Sequence, residues 1–82
     1  MELDKLKQII AEVLSVDTRE IVGNTTFLGD LGADSLDVYQ IVLKVEETFS
    51  IHMNPIEIER IRTVDEALNL IKKAEQKARG LT

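Results

Sequence analysis

The chain has 82 residues, no cysteine and a formal net charge of −5 at pH 7. A domain of this size buries only about 60 to 65% of the surface that its unfolded form exposes, so a deep catalytic pocket with supporting shells is disfavoured against a carrier, binding or adaptor role. The lack of cysteine excludes a disulfide framework, thiolate metal sites and any thiol of the protein's own.

The opening run Met1-Glu2-Leu3-Asp4-Lys5 has neither a basic nor a long apolar stretch, and no segment approaches the length of a membrane span. A soluble cytoplasmic protein is expected. Leu3, Leu6, Ile9, Ile10, Val13 and Leu14 then recur at helical spacing, with Lys5, Lys7, Gln8 and Glu12 outside the stripe, which predicts a first amphipathic helix. From Ser15 to Asp34 the chain carries Gly23, Asn24-Thr25-Thr26, Gly29 and Gly32 and reads as a long loop. Ile21, Val22, Phe27, Leu28 and Leu31 are expected to anchor it. A loop this long in so small a domain is usually functional.

A second helix is expected from about Ser35 to Phe49, with Asp34 as N-cap and Asp37 in the favourable first turn. It is apolar on two faces. Val38, Ile41, Val42, Val45 and Phe49 make the stripe expected to face the core. Leu36, Tyr39 and Leu43 make a separate row, flanked by Asp37, Gln40, Glu46 and Glu47, which serves either as a docking surface with an acidic rim or as extra core under the loop. After Ile51-His52-Met53-Asn54, Pro55 favours a helix start, and Ile56 to Ile61 makes one short turn or two. Thr63-Val64-Asp65-Glu66 is a capping-box pattern opening a last helix with the stripe Val64, Ala67, Leu68, Ile71 and Ala74, ended by Gly80. The expected fold is all-α: a small four-helix bundle of three main helices and one short one, with the long loop between the first two.

Charge is unevenly spread. Residues 30 to 48 hold Asp30, Asp34, Asp37, Glu46 and Glu47 against Lys44 alone, whereas residues 70 to 82 hold Lys72, Lys73, Lys77 and Arg79 against Glu75. The acidic centre argues against nucleic acid and for partners with basic patches. A merely solvated surface remains the alternative.

Ser35 lies just inside the second helix, between two carboxylates. A phosphate esterified to its hydroxyl would meet unpaired backbone N–H groups and the positive end of the helix dipole, so the serine reads as an attachment point. Its plain alternative is a capping serine. Catalysis by it would need a base with an oriented partner, and the single histidine, His52, lies beyond the far end of the helix, roughly 20 Å away at 1.5 Å per residue. His52 is expected to be an exposed loop residue. Without neighbours it makes no metal site.

The segment Leu28-Gly29-Asp30-Leu31-Gly32-Ala33-Asp34-Ser35-Leu36-Asp37, with Val45-Glu46-Glu47-Thr48-Phe49 and Thr63-Val64-Asp65-Glu66-Ala67, closely resembles the acyl carrier proteins of fatty acid and polyketide synthesis. The resemblance covers essentially the whole chain, and so implies one carrier domain over residues 1–82, a monomer and not itself an enzyme. It implies that Ser35 is modified by a phosphopantetheinyl transferase, which moves 4'-phosphopantetheine from coenzyme A onto the hydroxyl. The arm's thiol then holds acyl groups as thioesters, which suits a chain with no cysteine, and lets one tethered substrate visit several active sites at high effective concentration.

By the same resemblance Asp34, Leu36 and Asp37 surround the attachment site and are read by the transferase. Synthase, acyltransferase or ligase enzymes with basic patches would dock along Tyr39, Gln40, Leu43, Glu46 and Glu47. The acyl chain would fold back among Phe27, Val38, Val42, Val45, Met53, Ile58 and Ile61, each of which is also an ordinary core position. Ile58 stands where relatives commonly have a smaller residue. Lys44 and Gln40 interrupt a helix that is more uniformly acidic in primary fatty-acid carriers, and Tyr39 replaces a smaller aliphatic residue, which implies a specialised carrier with altered partner choice. Three rivals stay open: a D-alanyl, aminoacyl or peptidyl carrier; a cofactor-free helical adaptor; and, least supported, a serine hydrolase.

Overall fold

The computed structural model describes residues 2–78. They form α1 (Glu2–Leu14), a 3-10 turn (Thr18–Glu20), α2 (Ser35–Phe49), α3 (Pro55–Glu59) and α4 (Val64–Ala78). The all-α expectation holds, with α3 as the short helix. The end expected at Gly80 lies outside the described residues.

Apolar periodicity sets the packing. α1 lies against both α2 and α4, and Leu6, Ile10, Ile21, Val45, Val64 and Ile71 are fully buried between them. Across the outer edge of the α1–α2 contact, the Lys5 ammonium stands 6.0 Å from the centre of the Phe49 ring and Lys44 Nζ lies 3.5 Å from Glu12 Oε1. The lysine that interrupts the acidic helix is thus turned toward α1.

The long loop is ordered by both local and long-range hydrogen bonds. Asp17 caps the 3-10 turn by accepting from the Arg19 backbone N–H, and the Arg19 guanidinium holds its carboxyl below the usual range. Further on, the loop pairs with the link between α3 and α4. Thr26 and Thr63 form an isolated antiparallel bridge, Phe27 N–H donates to Arg62 O, Val64 N–H to Thr25 O, and Asp65 N–H to Gly23 O at 2.8 Å. A Cβ on Gly23 would stand 2.5 Å from the Asp65 carboxylate, so any other residue there would displace the Asp65 side chain. Of the five apolar residues expected to anchor the loop, Ile21 and Phe27 are buried and Leu31 half-buried, but Val22 and Leu28 are exposed. The backbone staple shares the anchoring with Ile21, Phe27 and Leu31, and leaves Val22 and Leu28 exposed.

Short α3 is fixed from three sides. Asn54 Oδ1 accepts from Ile56 N–H as its N-cap, Pro55 supplies a helix-ready first residue, and Arg62 Nη1 donates to Glu59 O beyond its end. Lys73 on α4 donates to Glu57 at 2.9 Å, and this bond lowers the Glu57 pKa. α4 opens with the anticipated capping box: Thr63 Oγ1 accepts from Glu66 N–H, and Glu66 Oε1 accepts from Thr63 N–H.

α1 and α2 both end on a left-handed serine, Ser15 (φ 57°) and Ser50 (φ 55°), where glycine is usual. Val16 N–H closes onto Ala11 O, and Ile51 N–H onto Glu46 O. Replacing Ser50 by Gly relieves the steric cost of this conformation. Stability is expected to rise by about 0.5 to 1 kcal/mol, allowing for the entropy glycine adds to the unfolded chain, seen as a melting point higher by a few degrees.

The lowered Glu57 pKa gives a second expectation. A carboxyl with a depressed folded pKa contributes stability that is present above its ordinary value near 4.5 and is lost as pH falls through the lowered folded value. In Lys73→Met the Glu57 midpoint, read by NMR titration, moves up toward the ordinary value. The melting point at pH 7 changes little, because the pair is at the surface.

Candidate functional site at the start of the second helix

Ser35 is the first residue of α2 because the residue before it ends the loop and caps the helix. Gly32, at φ +66°, turns the chain in the left-handed region, and Ala33 N–H donates to Phe27 O at 2.8 Å. Ala33 is buried, which pins the loop's last turn to the core. Thr26 and Asp30 brace the same turn by exchanging hydrogen bonds, each backbone N–H donating to the other's side chain at 2.9 Å. Asp34 then leaves in extended conformation. Its Oδ1 accepts from Asp37 N–H at 2.9 Å, and Asp37 Oδ2 accepts from Asp34 N–H at 3.3 Å, a capping box built from two aspartates.

The result is an exposed serine held rigidly at a helix start. Asp34 occupies the N–H of the third helical residue. The N–H groups of Ser35 and Leu36 are the ones that helix geometry leaves without an intrahelical acceptor, beside the positive end of the dipole. A phosphodiester on Ser35 Oγ fits this environment in charge and in room.

From Ser35 a groove of about 920 Å³ runs along α2 toward α3. Of the seven residues expected to receive an acyl chain, Phe27, Val38, Val42, Met53, Ile58 and Ile61 line it. Val45 does not; it borders an interior gap of about 20 Å³ that shares Phe27, Val38, Val42, Met53 and Ile61 with the groove. On the other side the groove is bordered by Tyr39 and Leu43. Leu36, Tyr39 and Leu43 are 65%, 58% and 47% exposed, so this row faces outward rather than under the loop.

The acidic rim is less free than the sequence suggests. Glu46 is half-buried, and its Oε2 accepts from Met53 N–H at 2.9 Å while lying 3.4 Å from His52 Nδ1. It therefore ties the loop after α2 back onto the helix. Gln40 and Glu47 are exposed. His52 is exposed and stands at the far end of α2 from Ser35, a helix length of about 21 Å. Among the described residues no group of three or more His, Asp or Glu is placed to hold a metal ion. Sequence reasoning missed Leu28 and Pro55 as groove residues and Arg62 at its edge; the only signal for Arg62 was a cation just before the Thr63 capping box.

A helical bundle that holds one exposed serine at a helix start, beside an apolar groove and with its histidine a helix length away, has the architecture of a carrier. Residues 4–71 match the family described as the phosphopantetheine attachment site. An acyl carrier protein of Clostridium acetobutylicum is 42% identical over 72 residues, covering 88% of this chain and 94% of that protein. Among solved structures, the Thermotoga maritima acyl carrier protein superposes with a TM-score of 0.81 at 28% identity over 95% of each chain. A Mycobacterium tuberculosis protein described as an acyl carrier protein reaches 0.84 at 26% identity, covering 89% of this chain and 97% of that one. The chain belongs to the phosphopantetheine-attachment family and, within it, to the acyl carrier proteins. Its cofactor is covalent 4'-phosphopantetheine, and it is a carrier rather than a catalyst.

The capping box makes a direct prediction. Asp34→Ala leaves the Asp37 N–H without its acceptor and is expected to cost about 1 kcal/mol of stability. Urea unfolding of the variant would show it as a lower midpoint at unchanged slope.

Proposed function

We propose that Ser35 is the residue that carries the prosthetic group and that residues 1–82 act as one carrier domain for acyl intermediates of fatty acid or related, polyketide-like or specialised, synthesis. The observation that carries this is the position of Ser35: exposed, first in α2, and at the mouth of the apolar groove. In the loading step the Ser35 hydroxyl gives its proton to a base on a phosphopantetheinyl transferase. Oγ forms a bond to the pantetheine-bearing phosphate of coenzyme A, and the pyrophosphate bond breaks with the nucleotide bisphosphate leaving. Asp34 and Asp37 cap the helix through one oxygen each, and the resemblance to acyl carrier proteins assigns the base to the transferase. Once attached, the group supplies a thiol that holds acyl chains as thioesters.

The chain's own residues then orient and shelter. Phe27, Val38, Val42, Met53, Ile58 and Ile61 give an acyl chain an apolar surface to leave water on. Asp34, Leu36 and Asp37 form the surround that the transferase reads. Tyr39, Gln40, Leu43, Glu46 and Glu47 form the docking face for synthase, acyltransferase or ligase enzymes. A monomer working in the cytoplasm, with no nucleic-acid partner, accords with the acidic charge. No helix among the described residues is long and apolar enough to cross a membrane.

Intact mass after incubation with coenzyme A, magnesium and a broad-specificity phosphopantetheinyl transferase tests the proposal. Wild type should gain one phosphopantetheine and Ser35→Ala none. A folded wild-type protein that gains nothing, beside a control carrier that does, would overturn it in favour of the adaptor.

A further inference from the structure

We infer that the cleft between α3 and α4 is a second ligand site, separate from the groove beside Ser35, and that it takes a small monoanion with an apolar tail, the class of a free medium-chain carboxylate. The binding itself does not depend on the carrier reading of Ser35.

α3 lies between two hollows that share His52, Met53 and Pro55. The larger is the groove along α2; the smaller, of about 310 Å³, opens toward α4. Leu70, Lys73, Ala74 and Lys77 line the smaller one from α4, and their spacing sets them on one face of that helix. Leu70 and Ala74 are half-buried there. On the α3 side Met53, which is buried, and Pro55 complete an apolar floor.

The charges at the rim do not balance. Lys73 Nζ donates to Glu57 Oε2 at 2.9 Å, and the Glu57 carboxyl is held below its ordinary pKa by that bond first and by the charge of Lys77 as well. Lys77 itself makes no hydrogen bond or ion pair among the described residues. Two ammonium groups one helical turn apart repel, and a single carboxylate offsets only one of them. With His52 neutral, one positive charge is left over, in a chain whose net charge is −5. Asn54, whose Oδ1 already accepts from Ile56 N–H, adds its amide nitrogen as a further donor. Uncommitted donors above an apolar floor fit a head group that only accepts, carried on an apolar tail.

Size sets the tail. At about 30 Å³ per water-sized volume the cleft of about 310 Å³ holds roughly ten such units, the number of non-hydrogen atoms in octanoate. The larger groove selects the other way. Asp34, Glu46 and Glu59 border it against Arg62 and a neutral His52, so it favours an uncharged chain over an anion. An acyl group is uncharged as a thioester and anionic once hydrolysed, so the two hollows separate the two forms. Thioester hydrolysis is then the class of reaction that supplies this ligand.

The test is titration of the isotope-labelled full chain with octanoate near neutral pH, followed by backbone amide chemical shifts, beside octanol and acetate. Octanoate should give saturable shifts at Met53, Asn54 and residues 70–77, with Kd in the roughly millimolar range open to a ligand of this size, and smaller shifts at Val38 and Val42. Octanol, which lacks the charge, and acetate, which lacks the tail, should each bind at the α4 residues about fivefold or more weakly. Lys77→Met should weaken octanoate by about fivefold at an unchanged melting point, and Lys77→Arg, which keeps the cation, should stay within about twofold of wild type. Shifts centred on Val38 and Val42, octanol as tight as octanoate at the α4 residues, Lys77→Met within about twofold of wild type, or no saturation below the micellar concentration would each overturn the inference. None of these readouts involves loading of Ser35, so failure here and failure of the carrier reading are distinguishable.

Discussion

The structure depends above all on how the loop of residues 15–34 satisfies its backbone. A stretch that long with little regular structure exposes many N–H and C=O groups, and none that is buried is tolerated unpaired. The bridge of Thr26 with Thr63 and the bonds from Phe27 to Arg62, Val64 to Thr25 and Asp65 to Gly23 answer that need by borrowing the link between α3 and α4. Their effect is directional. They press Phe27 into the groove, set Ala33 into the core one turn later, and deliver Asp34 in the extended conformation a cap requires. Ser35 stands where it does because a strand-like staple two elements away fixes the chain that leads to it.

This explains what was legible in the sequence and what was not. The limits and caps of α2, the pair Asp34 and Asp37, and the box of Thr63 with Glu66 depend on neighbours three or four residues apart, so local chemistry reveals them. The row Leu36, Tyr39 and Leu43 was legible as distinct from the core stripe, but spacing alone does not decide whether it faces outward or lies under the loop, and its exposure does. The bridge and the backbone bonds around it depend on partners about forty residues distant along the chain, and the exposure of Val22 and Leu28 goes with them. Apolar character alone suggested that those two residues anchor the loop, but backbone hydrogen bonds outweighed it. Val45 lies below the groove rather than on its wall. It shares the core-facing arc of α2 with Val38 and Val42 but is buried more deeply, and periodicity does not resolve depth within one arc.

The helix ends show the same division between local rule and tertiary outcome. Serine at a left-handed position goes against intrinsic preference, yet both Ser15 and Ser50 are held there by bonds to carbonyls five residues back from the next position. Ser50 opens the short segment in which Glu46 accepts from Met53 N–H, so the strained turn and the carboxylate act together to fold this segment beneath the groove. A residue that counts as rim charge in the sequence is, in the fold, part of the hinge between α2 and α3.

An apolar mouth on so small a protein raises a physical difficulty, because exposed leucine and isoleucine attract one another as readily as they attract a partner. The net charge of −5 opposes this. The carboxylates of α2 and its cap carry that charge whether or not one oxygen is taken by a backbone N–H, and repulsion between like-charged copies acts over distances near the Debye length of about 8 Å at physiological salt. The short-range contact and the long-range field are then separate devices on one surface. Burial of Leu28, Tyr39 and Leu43 would reward whatever fits closely, whereas the acidic field favours a basic surface over a second acidic one, so the two act on different ranges and select on different properties.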